Sequence, residues 1–144
     1  MRLARSYSLL LSLPLVASAG CRDTPVEARP ELNRLKALGI LYGKYSGAHG
    51  GRMPENENEL LQYIRTSEGS ILKQFGVDDP AKLLTSPRDG KPLVVAYGKG
   101  ISTEANPMVA YESEAVNGTR LAVWSTGLVQ ELTEERFQAL RPSK

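Results

Sequence analysis

The chain has 144 residues, 41% hydrophobic and 24% charged, with one cysteine and one histidine, which is globular composition with room for one domain. A single cysteine excludes a disulfide framework and a cysteine-rich metal cluster, and a single histidine excludes any site that needs two imidazoles. The formal charge of +2 rests on 18 basic and 16 acidic residues, and Lys and Arg are scattered singly, so no stripe exists for a phosphate backbone and nucleic acid is not an expected partner.

Residues 1–20 read as a secretory signal peptide. Arg2 and Arg5 make a positive start, Leu9 to Ala17 is apolar, and Ser18-Ala19-Gly20 places small residues before Cys21. The apolar stretch falls short of the about 20 residues that span a bilayer, and Pro14 interrupts it. Its removal takes two basic residues and no acidic one, leaving 16 of each sign. Ser18-Ala19-Gly20-Cys21 resembles the bacterial lipobox, with Ser18 where that motif usually has Leu. The resemblance implies that Cys21 is lipidated and becomes the new N-terminus, anchored by acyl chains that contribute about 0.8 kcal/mol per buried methylene. Arg22, rather than Asp, after the cysteine resembles the outer-membrane sorting pattern. The expected address is therefore the cell envelope, on the outer membrane facing the periplasm. The alternative is a secreted chain cleaved nearby, with Cys21 a thiol in its tail.

Residues 21–30 form a tether with two prolines and little apolar content. Pro30 and Glu31 suit the first turn of a helix. From Leu32, apolar residues at 32, 35, 38, 42 and 45, widened by Ala37, Ile40 and Leu41, predict an amphipathic helix of about four turns. Gly39, Gly43 and Gly47 recur at four-residue spacing; they either admit a close neighbour or simply weaken the helix. A Gly-rich turn follows, and Asn56 with Glu59 predicts a capped second helix bearing Leu60, Leu61 and Ile64. Ile71 to Phe75 and Pro80 to Leu84 read as short helical turns over the core.

The second half changes period. Leu93–Tyr97, Met108–Tyr111, Arg120–Trp124 and Leu128–Leu132 read as four strands. Asn117-Gly118 is a tight hairpin signal, which is a sufficient account of the Asn117-Gly118-Thr119 glycosylation pattern as well. Thr133 caps a short terminal helix, Glu134 and Glu135 occupy its positive end, and Leu132 can staple onto Phe137. The predicted class is α+β: a long N-terminal helix packed on an antiparallel sheet of about four strands, with short helices between and a short C-terminal helix, all in one domain over residues 31–144.

This order of elements resembles the periplasmic domain of type II secretion pseudopilins. Gly51-Arg52-Met53-Pro54 is similar to the Gly-Arg-aromatic-Pro turn after their spine helix, with Met53 in place of the aromatic. Pro87-Arg88-Asp89-Gly90-Lys91-Pro92 is a shuffled form of the Asp-Pro-x-Gly-x-Pro segment that introduces their sheet. The resemblance runs over roughly residues 31–132. It is also similar to pilin-like proteins of planctomycete-type bacteria, in which a Gly-containing turn, a valine-containing strand and a Glu-rich helix end the chain, as over residues 124–140. It implies a pilin-like fold. Two departures limit it: a cleavable signal and polar tether replace the assembling hydrophobic helix, and no carboxylate cluster surrounds Ser125-Thr126-Gly127 to hold the calcium of the major pseudopilin. No metal or cofactor is expected.

No catalytic residue is nominated. His49 lies in a Gly-rich turn without a partnered nucleophile. Asp78-Asp79 and Glu134-Glu135 are explained by helix starts, and Glu112 with Glu114 by one solvated strand face. Three readings follow: a non-enzymatic, lipid-anchored envelope protein that binds or scaffolds a protein partner; an accessory subunit of a secretion or pilus-like apparatus; and a small envelope hydrolase using carboxylates. Tyr42, Tyr45, Tyr97, Tyr111 and Trp124 are candidate interface anchors, or else core by their spacing.

Overall fold

A computed structural model describes residues 29–98 and 104–141. The signal-like segment and Cys21, with most of the tether, lie outside the described residues. A 3-10 turn over Pro30–Leu32 leads into α1 (Asn33–Ala48), followed by α2 (Glu57–Ser67), α3 (Gly69–Gln74) and a 3-10 turn over Pro80–Leu84. Four strands come next, β1 (Leu93–Val95), β2 (Met108–Glu112), β3 (Thr119–Trp124) and β4 (Val129–Thr133), and α4 (Glu134–Leu140) closes the fold. The sheet is an antiparallel meander in the order β1-β2-β3-β4. The class is α+β, with the four antiparallel strands and the C-terminal helix that the sequence predicts.

The caps show why elements begin where they do. The Asn56 side chain accepts a 3.0 Å hydrogen bond from the Glu59 amide, and the Glu59 carboxylate accepts from the Glu55 amide at 2.6 Å. The reciprocal arm of the capping box thus reaches one residue further back than the cap itself. Thr133 Oγ1 accepts from the Arg136 amide at 3.3 Å, and Leu132 and Phe137 share one buried cluster as the staple requires. The β2–β3 hairpin turns on Asn117 (φ 52°) and Gly118 (φ 79°), the two left-handed positions that a type I′ turn needs.

The sheet separates two clusters. Leu93, Ala110, Leu121, Val123 and Val129 join the buried side chains of α1, α2 and the Pro80–Leu84 turn in the main core. Met108, Ala122, Leu132 and Phe137 form a second cluster on the opposite face, beneath α4, with Tyr111 and Trp124 packed against it. A bulge between Met108 and Ala110 puts Val109 in the main core too, since one extra residue locally breaks the alternation.

Helix α1 meets the β3–β4 turn without intervening side chains. A Cβ on Gly39 would lie 2.3 Å from the Trp124 carbonyl oxygen, and one on Gly43 would lie 2.2 Å from that of Ser125. These two glycines admit a close neighbour, whereas Gly47 faces open space. The spacing therefore has both meanings, in different turns of one helix.

Candidate functional site

The charged groups inside the fold gather around Arg88. The Pro87-to-Pro92 segment is a turn closed by a 2.8 Å bond from the Ser86 amide to the Lys91 carbonyl, and it aims the Arg88 guanidinium between two strands. Arg88 Nε donates to Glu112 Oε1 at 3.0 Å and its Nη2 pairs with Oε2, while Nη1 reaches Glu131 at 2.9 Å. Glu112 is 1% exposed and also accepts from Ser86 Oγ at 2.5 Å and from the Leu121 amide at 2.8 Å. Four donors fill the roughly four lone-pair positions of a carboxylate. Glu112 consequently does not share a solvated face with the exposed Glu114; it stands two residues after Ala110 and points inward with it.

Glu131 continues the network. It accepts from Thr119 Oγ1 at 2.6 Å and from Arg29 Nη1 at 3.2 Å. The Thr119 hydroxyl, aided by the Arg88 and Arg29 charges, holds its carboxyl below the usual carboxylate range against the opposing effect of burial. Burial works against the charged Arg88, but its bonds to Glu112 together with the charges of Glu112, Glu131 and Asp89 outweigh that and raise its pKa. The whole set joins the start of the domain to β2, β3 and β4. Its donors and acceptors are turned on one another, which makes it a tie between elements.

The five aromatic candidates separate into three groups. Tyr42 and Tyr45 are each 1% exposed, so they are core and cannot serve as interface anchors in this fold. Tyr42 donates to the Ala96 carbonyl at 2.7 Å and Tyr45 to Glu59 at 2.6 Å. Burial, then the bond to Glu59, pushes the Tyr45 phenol up to about 12. Tyr97 packs against the same core with a buried hydroxyl that has no hydrogen-bond partner among the described residues, and burial pushes it to about 12 as well. Tyr111 and Trp124 are half-buried on the outer sheet face. His49, exposed beyond the end of α1, stacks on Tyr45 with ring centroids 4.0 Å apart and meets the edge of Tyr63 at 5.7 Å. Its Nδ1 lies 2.7 Å from the Tyr45 carbonyl oxygen, so it extends the capping of α1.

The outer sheet face is only partly covered. Val94, paired with Tyr111 across β1 and β2, is 39% exposed. Trp124 pairs with Met108 at the far end of the face, and Leu128 in the adjoining turn is 43% exposed. Helix α4 has only seven residues and shelters Phe137, whose ring meets Tyr111 at 4.9 Å and the Arg120 guanidinium at 4.8 Å.

Among the described residues, no group of three or more His, Cys, Asp or Glu could hold a metal ion, and no helix is long and apolar enough to cross a membrane. No local pattern in the sequence pairs Arg88 with Glu112; the two-residue spacing of Ala110 and Glu112, which gives them one inward face, is the cue that the sequence holds. Compared with protein-family models, curated proteins and solved structures, the chain has no match in any of the three.

Proposed function

We propose that this chain is a non-enzymatic, lipid-anchored cell-envelope protein whose pilin-like domain binds or scaffolds another envelope protein through its outer sheet face. The observation that carries the binding surface is the pair Tyr111 and Trp124, half-exposed beside Val94 and Leu128 on a face that α4 covers only in part. Aromatic side chains with polar tips are enriched at the energetic centres of interfaces. The saturated Glu112 and the inward-turned Arg88 network support a structural rather than catalytic use of the buried charges. The pilin-like reading is supported by α1 packed on the sheet and closed against the β3–β4 turn at Gly39 and Gly43, with the Arg88 turn opening β1. The anchor rests on residues 1–21 of the sequence.

Intact mass and membrane fractionation of the natively expressed protein beside Cys21→Ala test the anchor: lipid mass and membrane retention that depend on Cys21 support it, and an unmodified cleaved chain in the soluble fraction overturns it. Photo-crosslinkers at Tyr111 and Trp124 test the surface. A discrete envelope protein captured at both positions, and not at exposed Gly47, is the expected result. Equal labelling at all three positions would sink the surface assignment.

A further inference from the structure

At the end of the fold where the tether arrives, an open cavity of about 340 Å³ lies between the start of α1 and the segment after α3, at the small end of the ~300–1,000 Å³ range of ligand pockets. Its polar lining is Glu31, Asn33, Arg34, Asp78 and Lys82, with Phe75 among its apolar walls. Several charges elsewhere in the fold are paired, as in Arg88–Glu112, Arg120–Glu134 and Lys44–Glu68. Here two cations and two carboxylates converge, yet none of the four makes an ion pair or side-chain hydrogen bond with another described residue. The Arg34 Nε is in addition buried with no partner among the described residues, and a donor taken out of water without an acceptor is costly to the fold.

We propose that this cavity binds phosphoethanolamine, the zwitterion of a phosphate and a primary ammonium, either free or carried as the headgroup of a membrane lipid. Arg34 offers a planar fork suited to phosphate oxygens, and Lys82 a second point charge. A phosphate carrying up to two negative charges uses both cations, where a carboxylate would leave one idle. Glu31 and Asp78 supply acceptors for the ammonium, and Phe75 an apolar wall for the linking carbons. The lipid form rests on the anchor reading above: Pro30 at the rim is nine positions from Cys21, a reach of roughly 30 Å at most, which keeps the cavity near the headgroups.

The test uses a chain beginning at Arg22, which retains every buried core residue from Leu32 to Phe137. Titration with phosphoethanolamine by calorimetry and by amide chemical shifts is expected to saturate, with inorganic phosphate and ethanolamine each at least tenfold weaker. Lys82→Gln and Asp78→Asn, at exposed positions, should each weaken binding about tenfold with unchanged spectra of the fold, and Arg34→Gln should abolish it. Co-sedimentation with phosphatidylethanolamine vesicles and not with phosphatidylcholine vesicles supports the lipid source; saturable binding of the soluble ester alone supports the free source. Failure to bind either form, or equal affinity for inorganic phosphate, overturns the proposal. This chain lacks Cys21, so failure of the anchor is read separately, from the intact mass of the native protein.

Discussion

A methyl group on Gly39 would sit 2.8 Å from the Cα of Gly127, and one on Gly127 would sit 3.1 Å from the Lys36 carbonyl oxygen. Helix α1 and the β3–β4 turn are thus in contact backbone to backbone, and Gly127 (φ 86°) also takes a conformation that L side chains rarely adopt. Gly39→Ala should destabilise the domain by about 1–3 kcal/mol through overpacking, although alanine is the better helix former by about 1 kcal/mol. Gly47→Ala, which meets nothing within 4 Å, should stabilise it by about 0.4–1 kcal/mol. Urea unfolding of the two variants distinguishes contact from propensity, since propensity alone moves both the same way.

Removing Arg88 strands a buried carboxylate. Arg88→Met should cost about 3–5 kcal/mol, whereas Arg88→Met combined with Glu112→Leu should recover much of that loss, because an apolar pair carries no desolvation penalty. A double-mutant cycle from denaturant midpoints measures the coupling. Additive losses would mean that Ser86 and the Leu121 amide alone satisfy Glu112.

Glu131 governs part of the acid response. Its folded pKa lies below the ordinary carboxylate value, so its contribution is complete above about pH 4.5 and is lost as pH falls through the lower folded value. Glu131→Gln should flatten the stability profile in that acid window and leave the neutral-to-basic slope unchanged. Thermal unfolding at a series of pH values reads the difference.

The alkaline limb belongs to the buried phenols. Tyr45 and Tyr97 are raised to about 12, and Tyr42 is raised further, chiefly by burial. The fold favours their protonated forms, so stability is intact below about pH 10 and is lost as pH climbs through about 12. Phenolate absorbance should therefore show a late, cooperative step that coincides with loss of helical circular dichroism. Tyr45→Phe should leave a smaller late step and return Glu59, now held low first by the Tyr45 hydroxyl, toward its ordinary value.

What was legible in the sequence was local. Asn56, Thr133, Asn117-Gly118 and the β-branched and aromatic runs of the four strands each act through neighbours a few residues away, and each element appears close to where those residues put it. Non-local partners were not legible in the same way. Acidity and alternation make Glu112 a companion of Glu114 on one strand face, but Arg88 and Ser86, distant in sequence, hold its carboxylate inside the fold. Tyr42 and Tyr45 have the composition of interface residues, and only the packing of α1 between the sheet and the shorter helices makes them core. The inward use of Gly39 and Gly43 but not Gly47 depends on where the β3–β4 turn lands.

Arg29 and Glu131 touch although they stand 102 positions apart, and the groove for α1 is completed by a turn from the last strand pair. Helix α1, the first of the described helices to be synthesised, therefore has its seat completed only when the β3–β4 turn arrives. Until residues up to Gly127 have emerged, the side of α1 that carries Gly39 and Gly43 has no turn to close on, and its apolar neighbours are incompletely covered in the way that exposes folding chains to aggregation. The Arg29–Glu131 contact closes a long loop, which is entropically costly before it is rewarded, so the last strand pair supplies the contacts that tie the two ends of the domain together.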